Sequence, residues 1–174
     1  MTTQGASVHA SAVLVGDRAV LIRGPSGSGK SRLAFDLILA GRSQQIPPAV
    51  LVGDDRVHLV TSGENLIVRP AAELAGLIEI RGLGIRRIDH ADEAIVGLVV
   101  DLAAADAERL PLPDAQSVRI SGVLIPRIPV RAGYEAFPLI AAALTTTGGS
   151  SADQPSADCR KGIGNHISPT IATE

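Results

Sequence analysis

Aromatic side chains are almost missing from this chain. Phe, Trp and Tyr together make up 2% of its 174 residues, with no Trp, one Tyr and two Phe. The core must therefore be built from Val, Ile, Leu and Ala, and few ring faces remain on which nucleic-acid bases could stack. A basic excess is missing too, with 16 Lys+Arg against 18 Asp+Glu and a formal net charge of -2. That balance excludes a phosphate-backbone binder, so no nucleic-acid partner is expected. The one cysteine, Cys159, rules out a disulfide framework within the chain and fits a reducing cytoplasm. No charged n-region followed by an apolar h-region opens the chain, so no secretory signal is read there. The longest apolar runs, such as Ala94 to Leu102, are broken by Gly or closed by Asp. None approaches the roughly 20 residues that a membrane-spanning helix requires.

What is present is ordinary globular material, 45% hydrophobic and 20% charged, in a length suited to one domain. Val13 to Val15 and Ala19 to Ile22 are short β-branched-rich runs separated by Gly16-Asp17-Arg18, a hairpin signal. Ser31 to Ala40 has helical spacing at Leu33, Ala34, Leu37 and Ile38, with Gly41 as the expected stop. Further strands are expected at 49–52, 57–60, 66–68, 77–81, 94–101 and 116–123. A short helix with Pro at its first position is expected over 70–75, and a closing helix over 135–144. From Thr145 onward the composition turns to Thr, Ser, Gly, Asp and Pro without a period, so 145–174 is expected to be a disordered tail after a 1–144 domain. The class is α/β, with strands outnumbering helices in a mixed sheet.

Between the first hairpin and the first helix stands Gly24-Pro25-Ser26-Gly27-Ser28-Gly29-Lys30-Ser31, which fits G-x-x-x-x-G-K-[ST] at every fixed position. Such a loop turns backbone N–H groups toward phosphate oxygens, and the helix behind it presents its positive N-terminus. Lys30 is expected to reach the β/γ-phosphates of a nucleoside triphosphate, and the Ser31 hydroxyl to ligate Mg²⁺. Asp54 and Asp55 follow an apolar strand. Successive residues of an extended chain point opposite ways, so one carboxylate can face a metal and the other an acceptor hydroxyl. An Asp-rich turn closing a strand is the plainer account of the pair; the phosphate loop upstream favours the functional one. His9, His58, His90 and His166 show no metal-ligand spacing. Glu79 and Arg81 suit a surface ion pair almost as well as a metal ligand and a phosphate clamp.

Taken in order, His9, the phosphate loop, Val52-Gly53-Asp54-Asp55 and Ile78-Glu79-Ile80-Arg81-Gly82-Leu83-Gly84-Ile85 resemble the catalytic domain of bacterial HPr kinase/phosphorylase. The resemblance covers roughly His9 to Leu144 and looks like the short α-proteobacterial enzymes that lack the family's extra N-terminal domain. It implies a P-loop core similar to phosphoenolpyruvate carboxykinase, a hexamer, ATP and Mg²⁺ as cofactors, and a serine of HPr or a paralogue as acceptor. By that resemblance Asp55 is the proton acceptor, His9 its partner, Glu79 the second metal ligand beside Ser31, and Arg109 an active-site arginine. Pro129-Val130-Arg131-Ala132-Gly133 is similar to the segment associated with dephosphorylation. Two positions depart from the family pattern: Arg32 stands where an acidic residue is usual, and Tyr134 where that segment ends in Arg. The loop by itself is equally at home in a P-loop small-molecule kinase or a nucleotide-binding regulator without catalysis.

Overall fold

A computed structural model describes residues 5–148. In chain order the elements are β1 (Ala6–Val8), β2 (Ser11–Val15), β3 (Arg18–Arg23), α1 (Lys30–Arg42), β4 (Ala49–Gly53), β5 (Val57–Ser62), β6 (Asn65–Pro70), β7 (Leu77–Ile80), β8 (Gly84–Arg87), β9 (Ala94–Leu102), β10 (Ser117–Ile120), β11 (Val123–Val130) and α2 (Phe137–Thr145). The expected mixed, strand-rich α/β architecture is present. β3 and β9 pair in parallel at its centre, β2 and β4 extend it antiparallel on one side, and β11 lies parallel to β9 on the other. β6 takes the first residues of β9, at Ala94 and Ile95, whereas β11 takes Val99 to Leu102, so one long strand serves two neighbours along the same sheet.

Both faces of the central strands are covered, which is why their sequences read as near-continuous apolar runs. Val13, Val15, Val20 and Ile22 pack with Leu33, Leu37 and Ile38 of α1 and Ile140 of α2. The alternate residues Ala12, Ala19 and Leu21 pack with Val57, Leu59, Leu66 and Val68 of the β5–β6 hairpin. This period-two alternation fixes strand register, because a slip by one residue would exchange the two cores.

Three local readings are corrected. Helix α1 runs through Gly41 to Arg42. A Cβ on Gly41 would stand 2.6 Å from the Ala49 nitrogen, so this glycine lets α1 pack closely on β4 instead of ending the helix. Residues 70–75 hold only a 3-10 turn at Ala72–Leu74, with Pro70 closing β6. The strand expected over 116–123 is a hairpin, β10 and β11, whose turn residues Ser121 and Gly122 both have positive φ (48° and 86°). β11 carries Pro126 and Pro129, yet β10 pairs only its first half and β9 only its second, so neither proline interrupts a ladder covered on both sides. Most of the segment read as a tail, 149–174, lies outside the described residues.

Candidate active site

β3 delivers the chain into the phosphate loop, and α1 begins directly after it. Gly29 caps α1 with φ 96°, a left-handed conformation that suits glycine, and no side chain caps the helix. The first-turn amides of α1 therefore stay open to an anion. Lys30 is buried, and its Nζ donates to the carbonyls of Gly24 and Pro25, 3.0 Å each. Its ammonium thus sits inside the curl of the loop. The Ser28 hydroxyl is buried without a hydrogen-bond partner.

Asp54 and Asp55 diverge, but by a turn rather than by strand pleat. Asp55 adopts φ 63°, a left-handed conformation that Asp tolerates better than most residues. Asp54 is buried at 3% exposure and accepts from Ser11 Oγ (2.5 Å), Ser31 Oγ (2.9 Å) and the Glu79 amide (3.1 Å). It ties β2, α1 and β7 together beneath the loop. By donating its proton to Asp54, the Ser31 hydroxyl keeps lone pairs for a cation. Asp55 turns outward, its side chain 66% exposed, with Oδ1 3.2 Å from Nε2 of His9 in the link between β1 and β2.

These groups share one cavity of about 590 Å³, a size usual for small-molecule sites. Ser26 to Arg32 form one wall, and His9, Asp55, Glu79 and Arg81 face it. The structure thus brings together the phosphate loop, His9, Asp55 and Glu79, residues up to 70 positions apart as the sequence is numbered. Arg109 is not among them; it is exposed in the loop after β9. Arg32 is exposed on the first turn of α1, with Nε 3.7 Å from Asp36 Oδ2.

An ion cluster that sequence reading missed braces the site from below. Arg23, the residue before Gly24, donates Nε and Nη2 to the two carboxylate oxygens of Asp101, 2.7 Å each. Arg127 on β11 donates to Asp101 (2.5 Å) and reaches on to Asp106 (2.6 Å). Burial pushes the Asp101 carboxyl up, but the hydrogen bonds and charges of Arg23 and Arg127 outweigh it and hold the group below its ordinary value. Hydrogen bonding to Asp106 raises Arg127 in turn.

Comparison with known proteins gives this geometry a family. The model described as HPr Serine kinase C-terminal domain matches residues 1–154. The chain belongs to that family. The HPr kinase/phosphorylase of Neisseria meningitidis serogroup C is 38% identical over 120 residues, covering 64% of this chain and 35% of that protein. The HPr kinase/phosphorylase of Mycoplasma mycoides is 33% identical over 153 residues, covering 80% of this chain and 47% of that protein. The chain therefore spans less than half the length of either relative. Among solved structures, the Hpr(Ser) kinase/phosphatase from Coxiella burnetii aligns with a TM-score of 0.63 and 26% identity, covering 80% of this chain and 93% of that one. Among the described residues, no helix of this HPr kinase C-terminal domain is long and apolar enough to cross a membrane.

Proposed function

We propose that this chain is a cytoplasmic, ATP- and Mg²⁺-dependent protein-serine kinase, with residues 1–144 as its catalytic unit and HPr or a paralogous phosphocarrier as acceptor. The observation that carries the reading is the exposed Asp55 carboxylate, 3.2 Å from His9, on the wall of the cavity that the phosphate loop opens into. A base in that position can take the acceptor's Oγ–H proton as Oγ attacks the γ-phosphorus and the bond to the β-phosphate oxygen breaks, releasing ADP. His9 holds Asp55 in place, while Lys30 and the α1 amides stabilise charge on the transferring group.

Mg²⁺ fits the donors available. Ser31 and Glu79 would hold it, with Asp54 behind Ser31, and all three offer hard oxygen atoms. Among the described residues no cluster of three His, Cys, Asp or Glu forms a dedicated cage. Mg²⁺ seldom needs one, since substrate phosphates and water complete its shell. When bound, the ion neutralises charge on the β- and γ-phosphates.

A protein acceptor is supported by Leu83 and Ile85, which are 60% and 69% exposed on the β7–β8 hairpin that carries Glu79, Ile80 and Arg81 of the cavity wall. Exposed apolar groups beside a reacting centre suit a macromolecular surface better than a metabolite. Hexameric assembly, implied by the resemblance, belongs to the same reading and is checked by sedimentation. The decisive experiment incubates the purified chain with HPr, ATP and Mg²⁺ and reads intact mass. A gain of one phosphoryl group on HPr, absent with Asp55→Asn, is expected. Transfer to small metabolites alone, or to nothing, overturns the proposal. A chase with inorganic phosphate then tests dephosphorylation.

A further inference from the structure

A second, smaller cavity of about 120 Å³ shares Ser28, Gly29 and Arg32 with the first and continues toward the segment joining β11 to α2. Its other walls include Leu102 at the end of β9, Tyr134, and Phe137 at the start of α2. At this volume it lies below the usual range for a complete ligand site and suits one part of a larger ligand whose remainder occupies the main cavity. The shared wall is formed by Ser28 and Gly29 of the phosphate loop and by Arg32, so a polyphosphate is the chemistry that wall suits.

We propose that this small cavity is the nucleobase subsite, with Tyr134 as the stacking residue; the proposal rests on the reading that the loop binds a nucleoside triphosphate. Three features converge here. The lining chemistry suits a flat heterocycle, with Leu102 and Phe137 as an apolar seat, the Tyr134 ring as a face, and the Arg32–Asp36 pair as a polar edge. Tyr134 is the chain's one tyrosine and is 68% exposed, so its ring is free to close over a base. β3, β9 and β11 run parallel, and in open α/β sheets ligands lie outside the carboxyl ends of the strands. The phosphate loop leaves the end of β3, and the Tyr134 segment leaves the end of β11, two strands away. A nucleotide laid across those ends meets phosphate recognition first and the tyrosine next.

The test titrates the full chain, with Mg²⁺, against ATP and against inorganic tripolyphosphate by calorimetry. Wild type is expected to bind ATP more tightly than tripolyphosphate. Tyr134→Ala should weaken ATP by about five- to a hundredfold, the range that base–aromatic stacking spans, and leave tripolyphosphate unchanged. Tyr134→Phe should keep ATP affinity close to wild type. The high exposure of Tyr134 keeps the Ala variant folded, which a thermal melt verifies. Equal wild-type affinity for the two ligands overturns the subsite while leaving the phosphate cradle standing. So does an Ala variant that shifts neither ligand or both alike. Wild type that binds neither ligand overturns the nucleotide reading itself, and the subsite with it.

Discussion

Asp101 and Asp55 stand at the same end of the sheet, one within β9 and the other just past β4, and are held in opposite ways. Asp101 is 16% exposed and lies between two arginines, with Arg23 taking both of its oxygens and Arg127 adding a further bond. Asp55 is 66% exposed, touches one histidine, and sits on a left-handed backbone. A carboxylate that accepts three hydrogen bonds from two arginines braces structure. One that is exposed on a cavity wall can meet a bound molecule directly. The difference matches the two roles proposed for them, bracing and proton transfer, which sequence alone leaves alike, since one is an Asp near the end of an apolar strand and the other an Asp just past one.

Replacing the two residues by their amides breaks this comparison most sharply. Asp55→Asn should cut phosphoryl transfer by about 10²–10⁴-fold, the usual contribution of a positioned base, with urea-unfolding stability shifted by no more than about 0.5 kcal/mol. Asp101→Asn should do the reverse and cost about 3 kcal/mol of stability, because Arg23 and Arg127 would remain packed together without their counter-charge. The pH dependence carries a definite sign. The folded carboxyl of Asp101 is held below its unfolded value, so its contribution is fully present above the unfolded pKa and is lost as pH falls through the folded one. The gap between wild type and Asp101→Asn should therefore be wide at neutral pH and close below about pH 4. A gap that widens in acid would sink the bracing role.

The same division shows in what was legible beforehand. The phosphate loop, the β2–β3 hairpin and the Asp54–Asp55 turn announce themselves because their chemistry is local: glycines at fixed spacing, a two-residue turn, carboxylates after a strand. The bracing cluster joins Arg23 to Asp101 across 78 positions and Asp101 to Arg127 across 26, and no period or motif encodes such a pairing. β11 was hidden by Pro126 and Pro129, whose cost to a strand depends on which neighbour covers each half. Gly41 was misread for a related reason. A glycine that ends a helix and one that lets a helix approach a strand look alike until the strand is in place. Asp54 sits between these cases: its position was legible, but its three donors come from β2, α1 and β7.

Gly41→Ala tests that last distinction with a smaller effect. The added methyl would meet the backbone of Ala49 at 2.6 Å, so a loss of about 1–3 kcal/mol is expected even though alanine favours helix. A gain in stability would restore the reading of Gly41 as a helix stop. His9→Ala belongs to the exposed region, and the 52% exposed His9 side chain should add little to folding. It should slow transfer less than Asp55→Asn does and leave the affinity for ATP within about twofold, roughly 0.4 kcal/mol. An equal loss in both variants would instead make His9 and Asp55 a single acid–base unit.

The smallest expected effect is at Arg32, and its sign is the informative part. Arg32 and Asp36 form an exposed pair four residues apart on α1, 77% and 41% exposed, and such pairs contribute about 0.3–0.5 kcal/mol at best. Here the base precedes the acid, the weaker order, and a cation in the first turn opposes the helix dipole. Helix stability therefore gives no reason to keep arginine at this position. Arg32→Ala should leave the melting temperature unchanged or raise it slightly, by about 0.3 kcal/mol equivalent. Arg32 lines both cavities, and under the proposed nucleotide reading it would face the polyphosphate and the base edge as a cation. The substitution should then weaken ATP binding, most visibly at low ionic strength, where exposed charges act over a Debye length of about 30 Å. A variant that melts lower and binds ATP as before would return Arg32 to the structural half of the comparison.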